Sequence, residues 1–356
     1  AKRLHVVDRG RVRAPAPDIE AVARLAGVST ATVSRALRGL TNVSPSTRAR
    51  VLAAAQELDY VTSPSASRLA SGVTRSVGVV MPYIGRHFFA QVLSGAEVVL
   101  RDGGYDVLLY ALPEDQARAA FFEELPLRRR VDAVLVVTLP LTEAQMDKLR
   151  ALEIPLGMVG SIGLDPVGVS RVGIDDTVGA RTAVNHLINL GHERIAMIGG
   201  GVSDAEPNPF TTPGDRRLGY RKSLAEAGLT WNPDYEVDGR YSIAGGEQAM
   251  ASLLGLEHPP TAVFAQSDRM AVGAMHALGR AGLSWPEDVS IIGFDDDEVA
   301  APLELTTIAQ PMAEQGAAAA ELIRSTLEGA EPQSVLLPTQ LVLRSSTSPP
   351  KVRRTR

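Results

Sequence analysis

The chain has 356 residues, 45% hydrophobic and 22% charged, with no cysteine and a net charge of −5. That length gives room for two or three domains with real cores, and the missing cysteines exclude a disulfide scaffold, an iron–sulfur cluster and a thiol nucleophile. No apolar run approaches the ~20 residues of a membrane helix, and no apolar stretch follows the basic N-terminus, so the expectation is a cytoplasmic protein with no membrane partner.

The charge is unevenly spread. Residues 1–72 hold eleven Lys and Arg against five acids, a net of +6, which leaves −11 for residues 73–356. A basic head on an acidic body predicts that the head meets a polyanion. Residues 1–17, broken by Pro15 and Pro17, read as a basic arm without a core of its own.

Asp18 offers a helix cap, and Ile19, Val22, Ala23 and Ala26 recur on one helical face before Gly27. Ser29 can cap a second helix with Val33, Ala36 and Leu37 as its apolar side. Ser44 followed by Pro45 starts a third through Val51, Ala55 and Leu58. Two short helices joined by Ala26-Gly27-Val28 have the pattern of a helix-turn-helix, in which the start of the second helix faces base edges in the major groove. Those positions are Thr30, Ala31, Ser34 and Arg35. The first two are small enough to touch a thymine methyl, and Arg35 can be bidentate to guanine.

Past residue 72 apolar runs alternate with amphipathic stretches. Strands are expected at 77–81, 105–110, 131–137, 154–159, 194–198, 261–265 and 289–293, with helices at 88–101, 176–190, 216–227 and 268–280 between them. This alternation predicts βαβ units and doubly wound parallel sheets, and about 270 residues is enough for two lobes.

Ala23-Arg24-Leu25-Ala26-Gly27-Val28-Ser29-Thr30-Ala31-Thr32-Val33-Ser34-Arg35, with Val43-Ser44-Pro45 and Leu58-Asp59-Tyr60, resembles the head of the lactose-repressor (LacI/GalR) family of bacterial transcription factors. Val172-Gly173-Ile174-Asp175-Asp176, Leu190-Gly191-His192-Glu193-Arg194 and Ile292-Gly293-Phe294-Asp295-Asp296 extend the resemblance through a body similar to a periplasmic sugar-binding protein. The resemblance implies a small all-α helix-turn-helix domain at 18–62, a hinge helix at 63–72, a two-lobed α/β effector-binding and dimerisation domain at 73–345, and a polar tail at 346–356. It places the chain crossings between lobes near 190, 310 and 330.

The resemblance also implies the site residues. Ser29, Thr30, Ala31, Thr32, Ser34 and Arg35 would meet DNA, together with Ser67 and the wedge Leu69 of the hinge. Phe88 would stack on a sugar, Phe89 being read as core. Asp175 and Asp295 would accept hydroxyl protons, Arg216 would bridge to the ligand, and Ser267 stands where the family usually has asparagine. The expected protein is a homodimeric repressor of carbohydrate-utilisation genes, released from a palindromic operator by a mono- or oligosaccharide and needing no cofactor. Alternatives are a corepressor-type regulator answering to a purine and a sugar-binding transport protein.

Enzymatic readings are weaker. Gly199-Gly200-Gly201 lacks the surroundings of a phosphate loop, Asp295-Asp296-Asp297-Glu298 has no accompanying histidine pair, and the six histidines show no ligand spacing. No G-x-S-x-G nucleophile elbow is present.

Overall fold

Asp18 opens the first described helix as its cap: its Oδ1 accepts from the Ala21 N–H at 2.8 Å, so α1 (Ile19–Ala26) starts there and stops at Gly27, whose φ of +64° suits glycine. The computed structural model describes residues 18–37, 42–60, 73–160, 167–200 and 212–351. The arm 1–17 and the hinge 63–72, with Ser67 and Leu69, lie outside the described residues. The chain divides into two compact units, residues 1–74 and 75–356.

In the first unit, α2 (Thr30–Leu37) is capped by Ser29, which accepts from the Thr32 N–H at 3.2 Å, and α3 (Pro45–Glu57) by Ser44. Val22, Ala26, Val33, Ala36, Val51 and Ala54 close into one core, and their small size lets three short helices meet.

The second unit carries two six-stranded sheets. The first joins β1 (Ser76–Met81), β2 (Asp106–Ala111), β3 (Ala133–Val137), β4 (Leu156–Val159), β5 (Ser170–Gly173) and, from far along the chain, β11 (Ser334–Leu336), in the order β11-β5-β4-β3-β1-β2. The second joins β6 (Ile195–Gly199), β7 (Glu236–Asp238), β8 (Ala262–Ala265), β9 (Ser290–Asp295), β10 (Thr306–Ala309) and β12 (Gln340–Val342), in the order β12-β10-β9-β8-β6-β7. Every pairing is parallel except β10 with β12, so these are the doubly wound sheets the alternation predicts. Helices α4 (His87–Asp102), α5 (Asp115–Glu124), α6 (Glu143–Arg150) and α11 (Met312–Leu327) cover the first sheet. Helices α7 (Asp176–Asn189), α8 (Thr212–Glu226), α9 (Ile243–Leu254) and α10 (Asp268–Arg280) cover the second.

Three boundaries differ from expectation. The first crossing lies at 174–175, not near 190, because the apolar face of α7 (Ala180, Ala183, Val184, Leu187) packs with Phe264, Phe294 and Ile308 of the second lobe. The second runs through 310–311, between β10 and α11. The third lies at 337–339, not near 330, because the chain adds β11 to the first sheet before it leaves. Nor is 346–351 simply a polar tail. Ser346 is fully buried, donating to the Ile291 carbonyl at 2.6 Å, and Ser348 accepts from His192 at 2.9 Å through its carbonyl.

The first lobe depends on a close crossing of α4 and α11. A Cβ on Gly95 would stand 1.9 Å from the Ala313 carbonyl oxygen, and one on Gly316 would stand 1.9 Å from that of Val92. By contrast, a Cβ on Gly279, also helical, meets nothing within 4 Å. Gly95→Ala is therefore expected to destabilise by about 1–3 kcal/mol or more through overpacking. Gly279→Ala is expected to be neutral or stabilising by up to ~1 kcal/mol. Thermal denaturation of the two variants checks the opposite signs.

Candidate functional site

In the head, Val33 and Ala36 turn α2 inward, which leaves Thr30, Ala31 and Arg35 exposed and Thr32 and Ser34 half-buried. Ser29 fixes the start of the helix, its hydroxyl 2.9 Å from that of Thr32 as well as on the Thr32 N–H. The exposed face presents one long cation and several small side chains, which is what close approach to a groove requires.

In the body, a cavity of about 390 Å³ lies between the lobes at the carboxyl ends of the strands, where doubly wound folds take ligands. Tyr83, Arg86, Phe88, Phe89, Arg118 and Thr138 line it from the first lobe. Asp176, Arg216, Tyr241, Ser267 and Asp295 line it from the second, and Gln310 comes from the second crossing.

Its centre is Arg216. This fully buried guanidinium donates from Nε to Asp176 Oδ1 at 2.7 Å and from Nη1 to the Gln266 carbonyl at 2.5 Å. Asp295 Oδ1 is 3.7 Å away, and the Phe294 ring lies 3.6 Å beneath the guanidinium carbon. Burial pushes both carboxyls up, Asp295 to about 6, while Arg216 pulls each of them back down. Burial also works to lower Arg216, but Asp176 and Asp295 outweigh it, so the guanidinium stays charged.

Asp295 is held further by Gln310, whose Nε2 donates to Oδ1 at 2.6 Å; Gln315 in turn donates to Gln310 at 3.0 Å. The backbone at Asp295 has φ +114° and at Asp296 +56°, conformations an L-residue seldom takes and which the surrounding bonds must hold in place. Two carboxylates on one cation leave acceptor capacity facing the cavity, while Tyr83, Phe88 and Phe89 give the opposite wall an apolar face. Phe88 and Phe89 meet edge to face at 5.3 Å. Acceptors on one side and rings on the other suit a ligand that is hydroxylated at its rim and apolar on its flat side.

The structure brings Phe88, Arg216, Ser267 and Asp295 together as the sequence predicts, and it does not bring Asp175. Asp175 is exposed and spends its Oδ1 on the Val178 N–H at 2.9 Å, capping α7; the cavity residue is its neighbour Asp176, turned inward on the first turn. Ser267 similarly caps α10, accepting from the Met270 N–H at 3.4 Å, which leaves its hydroxyl proton available to the cavity. Phe89 lines the cavity but is only 8% exposed and belongs to the core of the first lobe. Arg217, beside Arg216, turns away to Glu236 at 3.2 Å.

Sequence reasoning missed Asp176, Tyr241, Gln266 and Gln310. Gln266 is a buried junction that accepts from the Tyr241 hydroxyl at 3.2 Å and donates to the Pro213 carbonyl at 3.1 Å. A signal for Gln310 existed, since it stands beside Pro311 at a crossing the resemblance placed there. The structure also brings His87 of α4 to 3.9 Å from Asp297, across the mouth of the cleft.

Two parts of the chain match known families. Residues 18–63 match the description "Bacterial regulatory proteins, lacI family", and residues 184–347 match "Periplasmic binding protein-like domain". The HTH-type transcriptional repressor CytR of Escherichia coli (strain K12) is 36% identical over 332 residues, covering 92% of this chain and 95% of its own. Among solved structures, the transcriptional regulator CelR in complex with cellobiose is 32% identical with a TM-score of 0.70, covering 93% of this chain and 99% of that one. The lac repressor dimer bound to operator and the anti-inducer ONPF is 27% identical with a TM-score of 0.80, covering 92% and 98%.

If Arg216 is what permits two buried carboxyls, Arg216→Ala should cost about 3–5 kcal/mol at pH 7.5, because Asp176 and Asp295 lose the counter-charge that pulls them down. The loss should shrink at pH 5, below the value of about 6 at Asp295, because the carboxyl is then neutral. Melting curves of wild type and variant at the two pH values measure this.

Proposed function

Because the chain belongs to the lacI family of bacterial regulatory proteins, we propose that it represses genes of carbohydrate use and is released from its operator by a sugar bound between the lobes. It is a DNA-binding transcriptional regulator with a ligand-binding body. The observation that carries the effector class is the Asp176–Arg216–Asp295 group facing Phe88 across the cavity. Vicinal hydroxyls donate to the two carboxylates, Arg216 donates to hydroxyl or ring oxygens, and the ring face of the sugar lies on the aromatic wall. The complex of CelR with cellobiose supports a carbohydrate in such a cleft. A purine corepressor is the competing ligand class, and it is included in the test below.

The head reads DNA through α2, with Thr30, Ala31, Ser34 and Arg35 at base edges and Ser29 and Thr32 toward the backbone. A single copy of so short a helix gives few contacts. A twofold homodimer doubles them and reads a palindrome, as the dimeric lac repressor on operator supports. Ser67 and Leu69 belong to the segment joining head to body. Leu69 enters the minor groove as a wedge once two such segments pair, since a helix of seven or eight residues is not stable alone. A ligand shifts this pairing only by binding one lobe arrangement better than the other, so a sugar that favours the closed cleft and separates the paired segments acts as an inducer.

Operator fragments selected by the purified chain provide the substrate for the test. Sugars are expected to release the selected DNA, and Asp295→Asn should raise the concentration needed about tenfold or more, the effect of weakening a charge-assisted acceptor. Tightening by a purine with no response to any sugar would reverse the assignment. Leu69→Ala is expected to weaken operator binding by about 1–3 kcal/mol, the scale of one lost specific contact. Unchanged affinity in a gel-shift titration would remove the wedge.

A further inference from the structure

The cavity is lined by arginines that a neutral sugar does not use. The charge of Arg216 is matched by Asp176 and Asp295, while Arg86, Arg118 and Arg269 also line the walls, each half-buried, and none forms an ion pair with any described carboxylate. The guanidinium carbon of Arg86 lies over the Tyr83 ring, 3.7 Å from its centre. Arg118 donates from Nη2 to Gln145 Oε1 at 2.9 Å, while its Nε is shut off from water and has no acceptor. Glu114 and Asp115 line the same wall, exposed at the start of α5, and Asp115 acts on Arg118 through space without forming an ion pair with it. Asp297, the other acid of the lining, lies toward His87 and accepts from the Val299 N–H. The Arg118 guanidinium lines the cavity with that one hydrogen bond among the described residues for its five N–H groups, and its planar fork matches the paired oxygens of a carboxylate or phosphate.

We propose that the effector is an anionic polyol, a sugar acid or a sugar phosphate, whose hydroxyls bind Asp176 and Asp295 and whose charged group binds Arg118, with Arg86 and Arg269 completing a positive wall. This rests on the polyol reading given above and narrows it. The same geometry gives each lobe one half of the ligand. Arg118 and Arg86 hold from the first lobe, and Asp176, Asp295 and Arg269 from the second. A ligand charged at one end and hydroxylated at the other therefore bridges the cleft, and the lobe arrangement it favours is one with both halves engaged.

The test is calorimetric titration of the full chain with matched sets: glucose, glucuronate and glucose 6-phosphate; galactose, galacturonate and galactose 6-phosphate; ribose and ribose 5-phosphate. At least one anionic member is expected to bind about tenfold or more tightly than its neutral parent, the scale of a charge-assisted pair. Whether the uronate or the phosphate wins identifies the group. Arg118→Gln and Arg269→Gln, on opposite lobes and each checked for an intact melting transition, should both bring the ratio of anionic to neutral affinity toward one. A neutral parent that binds as tightly as its charged derivatives overturns the anionic assignment alone and leaves the polyol reading standing. A preference that survives both substitutions does the same to the arginines. Binding by none of the set overturns both readings.

Discussion

A guanidinium buried between two carboxyls is the constraint around which the body is arranged. Arg216 is only 4% exposed, so its charge is tolerable only with Asp176 at 2.7 Å, Asp295 at 3.7 Å and a carbonyl from Gln266. Those partners come from three places: the first turn of α7, the end of β9 and the end of β8. Holding them within bonding reach fixes how the strand ends of the second lobe meet. The strained backbone at Asp295 and Asp296 is kept in place by the same bonds, together with Gln310 and Arg344.

The site is coupled to the connections between lobes because it is partly built from them. Ile174 and Asp176 flank the first crossing, and Gln310, which holds Asp295, lies in the second. A ligand that pulls on Asp176 or Asp295 therefore pulls on the segments about which the lobes move. This makes a small binding event able to alter the arrangement of the whole body without a separate transmission path. The His87–Asp297 contact at the mouth also joins the two lobes.

Much of this was readable without coordinates, and the reasons are local. Asp18, Ser29, Ser44 and Gly27 punctuate the head helices through their own side chains or φ, so the head was legible from single residues. Of the seven expected strands all but β2 are largely buried runs of apolar residues, as in Val77, Val79 and Met81 or Ile195 to Ile198, while β2 is an apolar run left half-exposed at the sheet edge. Five strands were not expected: β7, β11 and β12 are three residues each at a sheet edge, and β5 and β10 are four-residue strands whose Ser, Arg and Thr break the apolar run. The first crossing was misplaced because α7 has apolar residues suited to either sheet, and only packing decides between them. The exchange of Asp175 for Asp176 has the same origin. Two adjacent aspartates differ by a turn of about 100°, one caps the helix, and no property of the pair says which. Ser267, Arg216 and Asp295 were legible through the family resemblance, which matched each of them to a position at a strand end or in the first turns of a helix at the cleft edge.

The central claim is that the Asp176–Arg216–Asp295 group is where the effector's hydroxyls bind, and proton linkage tests it most directly. A carboxyl titrating near 6 that gains hydroxyl donors must become more acidic when ligand binds. Calorimetry of a binding sugar at pH 6, repeated in buffers of different ionisation heat, should show release of up to about half a proton per site. No proton exchange, or uptake in its place, would contradict the assignment of that group to the ligand.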